Sequence, residues 1–215
     1  MKHRNLVTKS FGVLSALALS FAVTSQANAA SGTDHGYYWG TYHEGGGSVS
    51  ISFAGATTNA GNYKLTWTSG VTDAAGGKGW KPGSIRNVHY NCGVISGYHS
   101  FGVYGWTTSP LVEYYIDEMG SAGGTFIGTL SSDGGTYNVY KQQRVNAPSI
   151  QGTTTFWQYK NSRTSAAPTG SNRTVTMANH VNYWKSHIGS VGTFYDTVLN
   201  CEAFSGPGTC NATVW

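Results

Sequence analysis

The chain has 215 residues, of which only 10% are charged, whereas 13% are aromatic and 30 are glycines. The formal net charge is +4, but Lys2, Arg4 and Lys9 lie at the extreme N-terminus, and the rest of the chain carries ten basic side chains against nine acidic ones. This balance excludes the basic surface that binds nucleic acid or an anionic membrane. We therefore expect a neutral partner, and a monomer, since no feature of the sequence requires more.

The first element in the chain is a secretory signal peptide at residues 1–29. A basic start precedes an apolar run at residues 11–23, and Ala27-Asn-Ala29 is a small-residue cleavage site. The apolar run is too short to span a bilayer permanently, so a retained membrane anchor is the less favoured alternative. We predict cleavage after Ala29 and a secreted, extracellular protein, in which residues 30–215 form a single domain.

From Gly36 to about Thr174 the sequence predicts short β-strands. Runs of aromatic and β-branched residues alternate with polar ones and are separated by turns rich in glycine, serine and asparagine, which is typical of an all-β sandwich. The predicted strands are 48–53, 63–67, 84–90, 102–107, 136–142 and 154–159, and two more follow at 194–201 and 209–214.

One segment, residues 179–188, has the period of a helix. Val181, Trp184 and Ile188 recur at positions i, i+3 and i+7, and Gly189 follows as a stop signal. We therefore predict a curved β-sandwich with a single α-helix packed on it, and no second domain.

Two isolated glutamates in strand-like segments suggest the chemistry of the protein. In the run Pro110-Leu-Val-Glu-Tyr-Tyr-Ile116, alternate side chains share a face, so Glu113 points the same way as Leu111 and Tyr115. A buried, unpaired carboxylate is costly, and Glu113 must therefore face solvent or a cleft. Glu202 has a similar setting near the C-terminus. Hydrolysis of a glycosidic bond needs two carboxyl groups, roughly 5–5.5 Å apart in a retaining enzyme, so this pair among many aromatic residues suggests a sugar-cleaving enzyme.

The other acids are weaker candidates. Glu44 and Asp133 lie next to glycines in turns and are expected to be solvated. Asp117 and Glu118 end a strand and are expected to be exposed. Acids at strand edges are common, however, and the pattern alone does not decide whether the two strand glutamates act together.

Three cysteines, Cys92, Cys201 and Cys210, occur in a chain that is expected to be exported. Cys201 and Cys210 flank a strand–turn–strand pattern that would place them opposite each other in a hairpin, within reach of a disulfide. We predict a Cys201–Cys210 disulfide, with Cys92 free. The cysteine and histidine spacings do not resemble a metal site, and no metal or cofactor is expected.

Several motifs occur in an order and spacing that is specific when they are taken together. They are Gly76-Gly-Lys-Gly-Trp80, Tyr104-Gly-Trp106, Pro110-Leu-Val-Glu-Tyr-Tyr115, Ser132-Asp-Gly-Gly-Thr-Tyr137, Arg144-Val-Asn-Ala-Pro-Ser-Ile150, Gln158-Tyr159, Asn179-His-Val-Asn182 and Thr213-Val-Trp215. On these motifs the chain resembles the endo-1,4-β-xylanases of glycoside hydrolase family 11 along essentially all of residues 30–215. The resemblance implies a catalytic β-jelly roll, a sandwich of two curved antiparallel sheets with a single α-helix, whose concave sheet carries the substrate cleft. It also implies hydrolysis of xylan and xylo-oligosaccharides without a cofactor.

The resemblance assigns a role to each matched residue. Glu113 is expected to be the nucleophile and Glu202 the general acid/base of a double displacement that retains configuration through a covalent glycosyl-enzyme intermediate. The residues expected to bind substrate are Tyr42, Tyr104, Tyr115, Arg144, Pro148 and Gln158, with Pro148 at the tip of a mobile thumb. For Arg144, an ion pair at the base of a hairpin is an open alternative.

Three departures from the family pattern leave other functions open. Tyr42 stands where a tryptophan platform is usual, and Ala203-Phe204 replaces a glycine–tyrosine pair. Lys160 replaces a tryptophan and is expected to extend outward. The alternatives are therefore a non-catalytic β-sandwich that binds xylan or another polysaccharide, and a β-1,4-glucanase.

Asp73, seven residues before Trp80, occupies the position that the resemblance places beside the acid/base. A carboxyl group there would share a proton with Glu202, and the two groups would titrate as a coupled unit. The protonated, active form would then need more acid, so we expect an acidic activity optimum that Asp73→Asn moves upward. A solvated loop aspartate is the alternative.

Overall fold

The computed structural model describes residues 28–54, 59–120 and 123–215. These residues contain fifteen β-strands and one α-helix. In chain order they are β1 (Asn28–Asp34), β2 (Tyr37–Gly45), β3 (Val49–Ser52), β4 (Asn62–Trp67), β5 (Val71–Trp80), β6 (Asn87–Ser96), β7 (Ser100–Thr108), β8 (Val112–Gly120), β9 (Thr125–Ser132), β10 (Gly135–Ala147), β11 (Thr154–Arg163), β12 (Asn172–Thr176), α1 (Met177–His187), β13 (Thr193–Phe194), β14 (Thr197–Ala203) and β15 (Gly208–Val214). Of the expected signal peptide, residues 1–27 lie outside the described residues.

The strands form two sheets. Sheet A has the order β1-β2-β5-β14-β7-β8-β11-β10-β9, with the short β13 paired to β7, and sheet B has the order β12-β6-β15-β4-β3. Pairing among the described strands is antiparallel except between β8 and β11, which run parallel. The predicted β-jelly-roll sandwich with a single helix is confirmed.

The side chains of strand β8, near the middle of sheet A, alternate between the core and the opposite face of the sheet. Val112, Tyr114 and Ile116 are at most 1% exposed and pack in the core with side chains from sheet B. Glu113 and Tyr115 alternate with them and therefore point to the other face. The alternation predicted for this segment is confirmed.

Helix α1 packs on the core with the predicted apolar stripe. Val181 and Trp184 are fully buried, and Ile188 packs beside them. Asp133 holds the start of the helix, because its carboxylate accepts hydrogen bonds from the backbone N–H and the hydroxyl of Thr176 at 2.9 and 2.7 Å. Asp133 is therefore engaged in the fold, which corrects the expectation that it is solvated.

The Cys201–Cys210 disulfide forms as predicted, but its geometry differs from the expected hairpin. Cys201 lies on β14 in sheet A and Cys210 on β15 in sheet B, and both are fully buried. The hairpin expectation is wrong because the turn after β14 carries the chain from one sheet to the other. The bond therefore ties the two layers together. Cys92 is a free, buried thiol.

Asp117 and Glu118 are buried, which corrects the expectation that they are exposed at a strand end. Strand β8 continues to Gly120, so the two residues lie inside sheet A and are 3% and 0% exposed. The Glu118 carboxylate lies on the core side, where two tyrosine hydroxyls and two arginines surround it. These partners are Tyr90 at 2.6 Å, Tyr137, Arg163 at 3.5 Å and Arg173 at 3.4 Å. A carboxylate at this depth persists because it is paired.

We expect Glu118→Ala to lower the free energy of unfolding by about 3 kcal/mol, because it leaves Arg163 and Arg173 without their shared counter-ion. Urea unfolding followed by tryptophan fluorescence measures the change. Glu118→Gln is the matched control, since the amide keeps an acceptor for the tyrosine hydroxyls and should destabilise less. Equal stability of the wild type and Glu118→Ala would contradict this role.

Candidate active site

A cleft of about 700 Å³ opens on the face of sheet A that points away from the core. Strands β2, β5, β14, β7, β8 and β11 form its floor, and the hairpin between β10 and β11 borders one side. All the predicted catalytic and substrate-binding residues line this cleft. They are Tyr42, Asp73, Tyr104, Glu113, Tyr115, Arg144, Pro148, Gln158 and Glu202. The topology thus brings together candidates that are far apart in the sequence.

Three hydrogen-bond donors hold the carboxylate of Glu113. The hydroxyls of Tyr104 and Tyr115 donate to Oε1 at 2.8 and 2.9 Å, and Nε2 of Gln158 donates to Oε2 at 2.5 Å. The indole Nε1 of Trp106 donates to the Tyr104 hydroxyl at 2.7 Å, so that the hydrogen of this hydroxyl remains directed at Glu113. Gln158 is in place because it lies directly opposite Glu113 in the β8–β11 register. These contacts fix the orientation of the Glu113 carboxyl group.

Glu202 has a different environment. The residue is 9% exposed, and Oε2 accepts a hydrogen bond from Oγ of Ser100 at 3.3 Å. Burial raises the pKa of Glu202 to about 8, and three neighbouring carboxylates add to the rise. Glu202 is therefore protonated at neutral pH. The cleft holds one carboxylate that accepts three hydrogen bonds and one carboxyl group that keeps its proton.

Asp73 is a neighbour of Glu202 across strands β5 and β14. Ala75 lies directly opposite Glu202 in the register, and Asp73 is two residues away on the same face. Burial raises the pKa of Asp73 to about 7, and the charges of Glu44 and Glu113 add to the rise. Its Oδ1 is buried and has no hydrogen-bond partner among the described residues. Asp73 thus lies in a strand of the cleft floor and not in a solvated loop.

Sequence reasoning missed Asp117 and found no role for Lys160, yet both line the cleft. Asp117 is two residues beyond Tyr115 on the same face of β8, and burial raises its pKa to about 7. Lys160 does not extend outward as expected, because its Nζ lies 3.3 Å from Oε1 of Gln142 and 5.4 Å from the centroid of the Tyr115 ring. Continuing the alternation of Glu113 along β8 would have found Asp117. No local signal distinguishes Lys160 from an exposed strand lysine.

The remaining predicted residues lie on the two sides of the cleft. Tyr42 on β2 is at one side, where its hydroxyl donates to the carboxylate of Glu44. Arg144 on β10 and Pro148 in the following turn are at the other side. Arg144 takes part in none of the ion pairs within the described residues, which argues against a purely structural pairing.

Within the described residues, no group of three or more histidine, cysteine, aspartate or glutamate side chains could hold a metal ion. No helix in that part of the chain has both the length and the apolar character needed to cross a membrane.

The sequence of the chain is similar to those of known proteins. Residues 34–213 match the profile of glycosyl hydrolases family 11. Ethylene-inducing xylanase 1 of Botryotinia fuckeliana (strain B05.10) is 42% identical over 193 residues, which cover 86% of this chain and 66% of that protein. Endo-1,4-beta-xylanase B of Phanerodontia chrysosporium is 41% identical over 192 residues, which cover 86% of this chain and 63% of that protein. The chain thus spans about two thirds of the length of these relatives.

A solved structure also resembles the chain. It comes from a structural comparison of two major endo-1,4-beta-xylanases from Trichoderma reesei. The TM-score is 0.72 at 37% identity, and the match covers 81% of this chain and 96% of the other.

The buried acids of the cleft predict that the folded protein loses stability as the pH rises. The pKa of Glu202 is raised from 4.5 to about 8, and those of Asp73 and Asp117 from 3.8 to about 7. The stabilisation that comes from protonating these groups is therefore complete below their ordinary pKa values. It is lost as the pH rises through about 7 and 8. We expect the Tm measured by circular dichroism to fall between about pH 5 and about pH 8.

Glu202→Gln cannot ionise, so it should reduce this fall and raise the Tm at about pH 8 by about 3 °C. Asp133→Asn is the control, because the pKa of Asp133 is below its ordinary value and the group stays ionised over this range. A Tm of Glu202→Gln with the same pH dependence as the wild type would contradict the assignment.

Proposed function

Because this chain belongs to glycosyl hydrolases family 11, we propose that it is a retaining endo-1,4-β-xylanase that cleaves internal bonds of xylan. The observation that carries the proposal is the contrast between two glutamates in one cleft. Glu113 accepts three hydrogen bonds, whereas burial keeps Glu202 protonated. A retaining glycosidase needs this division into a nucleophile and an acid. The relatives described above are named xylanases, which supports xylan as the substrate.

In the first step, Glu113 attacks the anomeric carbon while Glu202 gives its proton to the departing glycosidic oxygen. The bond from that carbon to the leaving sugar breaks as a bond to a Glu113 oxygen forms, which yields a glycosyl-enzyme and a free saccharide. Glu202 can act as the acid because its pKa of about 8 keeps the proton in place until the substrate arrives. Tyr104, Tyr115 and Gln158 orient the attacking carboxylate.

In the second step, water attacks the same carbon and the bond to Glu113 breaks. Glu202, now ionised, takes a proton from this water as a general base. Esterification has meanwhile removed the negative charge of Glu113, which is one of the causes that raise the pKa of Glu202. The pKa of Glu202 therefore falls when a base is needed and rises again when the free enzyme returns.

The other cleft residues are suited to bind a neutral saccharide. The ring of Tyr42 offers a face for the C–H groups of a sugar at one side of the cleft. Oε1 of Gln158 is buried without a partner among the described residues and can accept a hydrogen bond from a sugar hydroxyl. Arg144 and Pro148 approach from the hairpin between β10 and β11, and the fixed φ of proline restricts the turn that closes over the substrate.

We also propose that residues 1–29 are removed on secretion and that 30–215 form the catalytic domain. Strand β1 begins at Asn28, so cleavage after Ala29 would remove its first two residues. Ala30 to Asp34 would remain paired with β2.

We expect Glu113→Gln and Glu202→Gln each to lower kcat on soluble xylan at least about 100-fold, because one lacks a nucleophile and the other an acid. Release of reducing ends measures the rate, and proton NMR of the first product shows whether configuration is retained. Asp133→Asn, outside the cleft, is the control for loss of a carboxylate.

Other outcomes of this assay would contradict the proposal. Binding of xylan without release of reducing ends would indicate a polysaccharide-binding module. Faster hydrolysis of carboxymethyl cellulose than of xylan would indicate a β-1,4-glucanase. An inverted product would exclude Glu113 as a nucleophile.

Asp73→Asn should move the basic limb of the kcat/KM profile upward by about one pH unit. A proton shared between Asp73 and Glu202 would stabilise the singly ionised pair, so the first proton would leave at a lower pH than it would from Glu202 beside an amide. The charge of Asp73 by itself raises the pKa of Glu202, so a downward shift in Asp73→Asn would indicate a charge effect without a shared proton. The profile of xylan hydrolysis between about pH 3 and about pH 9 measures the shift. A profile that does not change would refute the coupling.

A further inference from the structure

Three polar residues of the cleft have no part in the proposed mechanism: Ser100, Asp117 and Lys160, which we call the polar arm. They lie on β7, β8 and β11, whereas Asp73 lies on β5, so Glu202 on β14 stands between Asp73 and the arm in the strand order. We propose that Asp117 is a positioning residue for Glu202 that acts through the Ser100 hydroxyl, with Lys160 as the opposing charge. The proposal rests on the proposed function, since it takes Glu202 as the acid/base.

Strand register places the Ser100 hydroxyl between two carboxyl groups. Ser100 lies directly opposite Glu202 in the β7–β14 pair, and its Oγ is 3.3 Å from Oε2 of Glu202. Asp117 lies opposite Gly102, two residues from Ser100 on the same face, and its interaction with the Ser100 side chain lowers the pKa of Asp117 against the effect of burial. A hydroxyl has one hydrogen and two lone pairs, so it can donate to one carboxyl group while it accepts from the other. Ser100 therefore links the protonation of Asp117 to that of Glu202.

The burial of Asp117 has no evident structural benefit. Its side chain is 3% exposed, and Oδ2 is buried without a hydrogen-bond partner among the described residues. An unpaired buried carboxyl oxygen destabilises a fold. Glu118, the next residue, is fully buried but surrounded by donors. The contrast between these neighbours favours a role for Asp117 in the cleft.

Lys160 and Asp117 act on Glu202 with opposite sign. Lys160 lies opposite Tyr115 in the β8–β11 register, and its ammonium group lowers the pKa values of both Asp117 and Glu202. The charge of Asp117 raises the pKa of Glu202. The arm thus contains a positive and a negative group whose removal has opposite consequences for the proton on Glu202.

Other titratable groups also face Glu202 and are left in place when the arm is changed. They are Asp73 on β5, Glu113 and Tyr115 on β8, Tyr104 on β7, and His99 at the rim, whose ring centroid lies 4.4 Å from that of Phe204. Changes in the titration of Glu202 on substitution of the arm therefore report the arm itself.

The arm has a consequence for the position of the acidic proton. When Ser100 donates to Oε2 of Glu202, the proton of the neutral acid is left on Oε1. When Glu202 ionises in the first step, the same hydroxyl stabilises the new carboxylate without moving. Asp117 sets how strongly Ser100 donates, because an ionised Asp117 competes for the single hydrogen and a protonated Asp117 does not.

The test is the titration of Glu202, measured by carbon NMR in protein labelled at the glutamate carboxyl carbon. The Glu202 signal is assigned as the one that is missing in Glu202→Gln. Asp117→Asn should lower the midpoint by about half a pH unit, and Lys160→Met should raise it by about half a pH unit. In a Ser100→Ala background, Asp117→Asn should change the midpoint less, since the linking hydroxyl is gone.

Two controls make the same charge changes outside the cleft. Asp133→Asn and Lys64→Met should leave the midpoint unchanged, which separates the arm from a general effect of net charge. The basic limb of kcat/KM on xylan should move in the same directions as the midpoint. General damage to the fold would not shift the limb downward in one variant and upward in the other.

Midpoints that stay constant, or that move in the same direction in Asp117→Asn and Lys160→Met, overturn the proposal. If Asp117→Asn does not fold, Lys160→Met alone decides, and a midpoint that does not rise overturns it. Opposite shifts in a protein that does not cleave xylan would support the arm and refute the proposed function. Constant midpoints in a protein whose xylan hydrolysis depends on Glu113 would refute the role of the arm and support the proposed function.

Discussion

The pleat of strand β8 is the constraint on which the rest of the structure depends. Val112, Tyr114 and Ile116 fill the core, and their burial forces Glu113 and Asp117 onto the cleft face. A slip of one residue would bury the carboxylates and expose the apolar side chains, so the register is strongly specified. The strands β7 and β11 flank β8 and supply the side chains that surround its acids. The site therefore follows from the same pattern that builds the core.

Identical carboxyl groups acquire different properties in this cleft because their neighbours differ. Glu113 lies among a tyrosine pair and a glutamine that all donate, and such donors suit a charged acceptor. Glu202 lies among other acids and is buried, which favours its neutral form. Neither environment requires a loop, since both glutamates and all three donors to Glu113 lie on strands. Rigid strands hold such groups more accurately than loops do.

The sequence predicted the fold class, the helix and the face of β8 that carries Glu113 because these depend on local periodicity. The same periodicity extends to Asp117, but two consecutive acids after the apolar run indicate an exposed strand end, and the pattern does not reveal that β8 continues to Gly120. The disulfide partners were predicted correctly and their geometry was not, because local turn signals do not reveal whether a chain folds back within one sheet or crosses to the other. The orientation of Lys160 depends on its contacts with Gln142 on β10 and Tyr115 on β8, which no local pattern encodes.

The cleft concentrates groups that oppose stability, and the fold around it contains groups that offset them. Three acids with raised pKa values, Asp73, Asp117 and Glu202, lie close together on the cleft face, where ionisation of one disfavours ionisation of the next. On the core side of the same sheet, Glu118 is neutralised by arginines, and a disulfide joins the two layers. On the cleft face of sheet A, Asp73 and Asp117 each keep a buried oxygen without a partner among the described residues, whereas Glu118 on the core face is fully paired. These two buried oxygens, Oδ1 of Asp73 and Oδ2 of Asp117, support the roles proposed for Asp73 and the polar arm in the chemistry of the cleft.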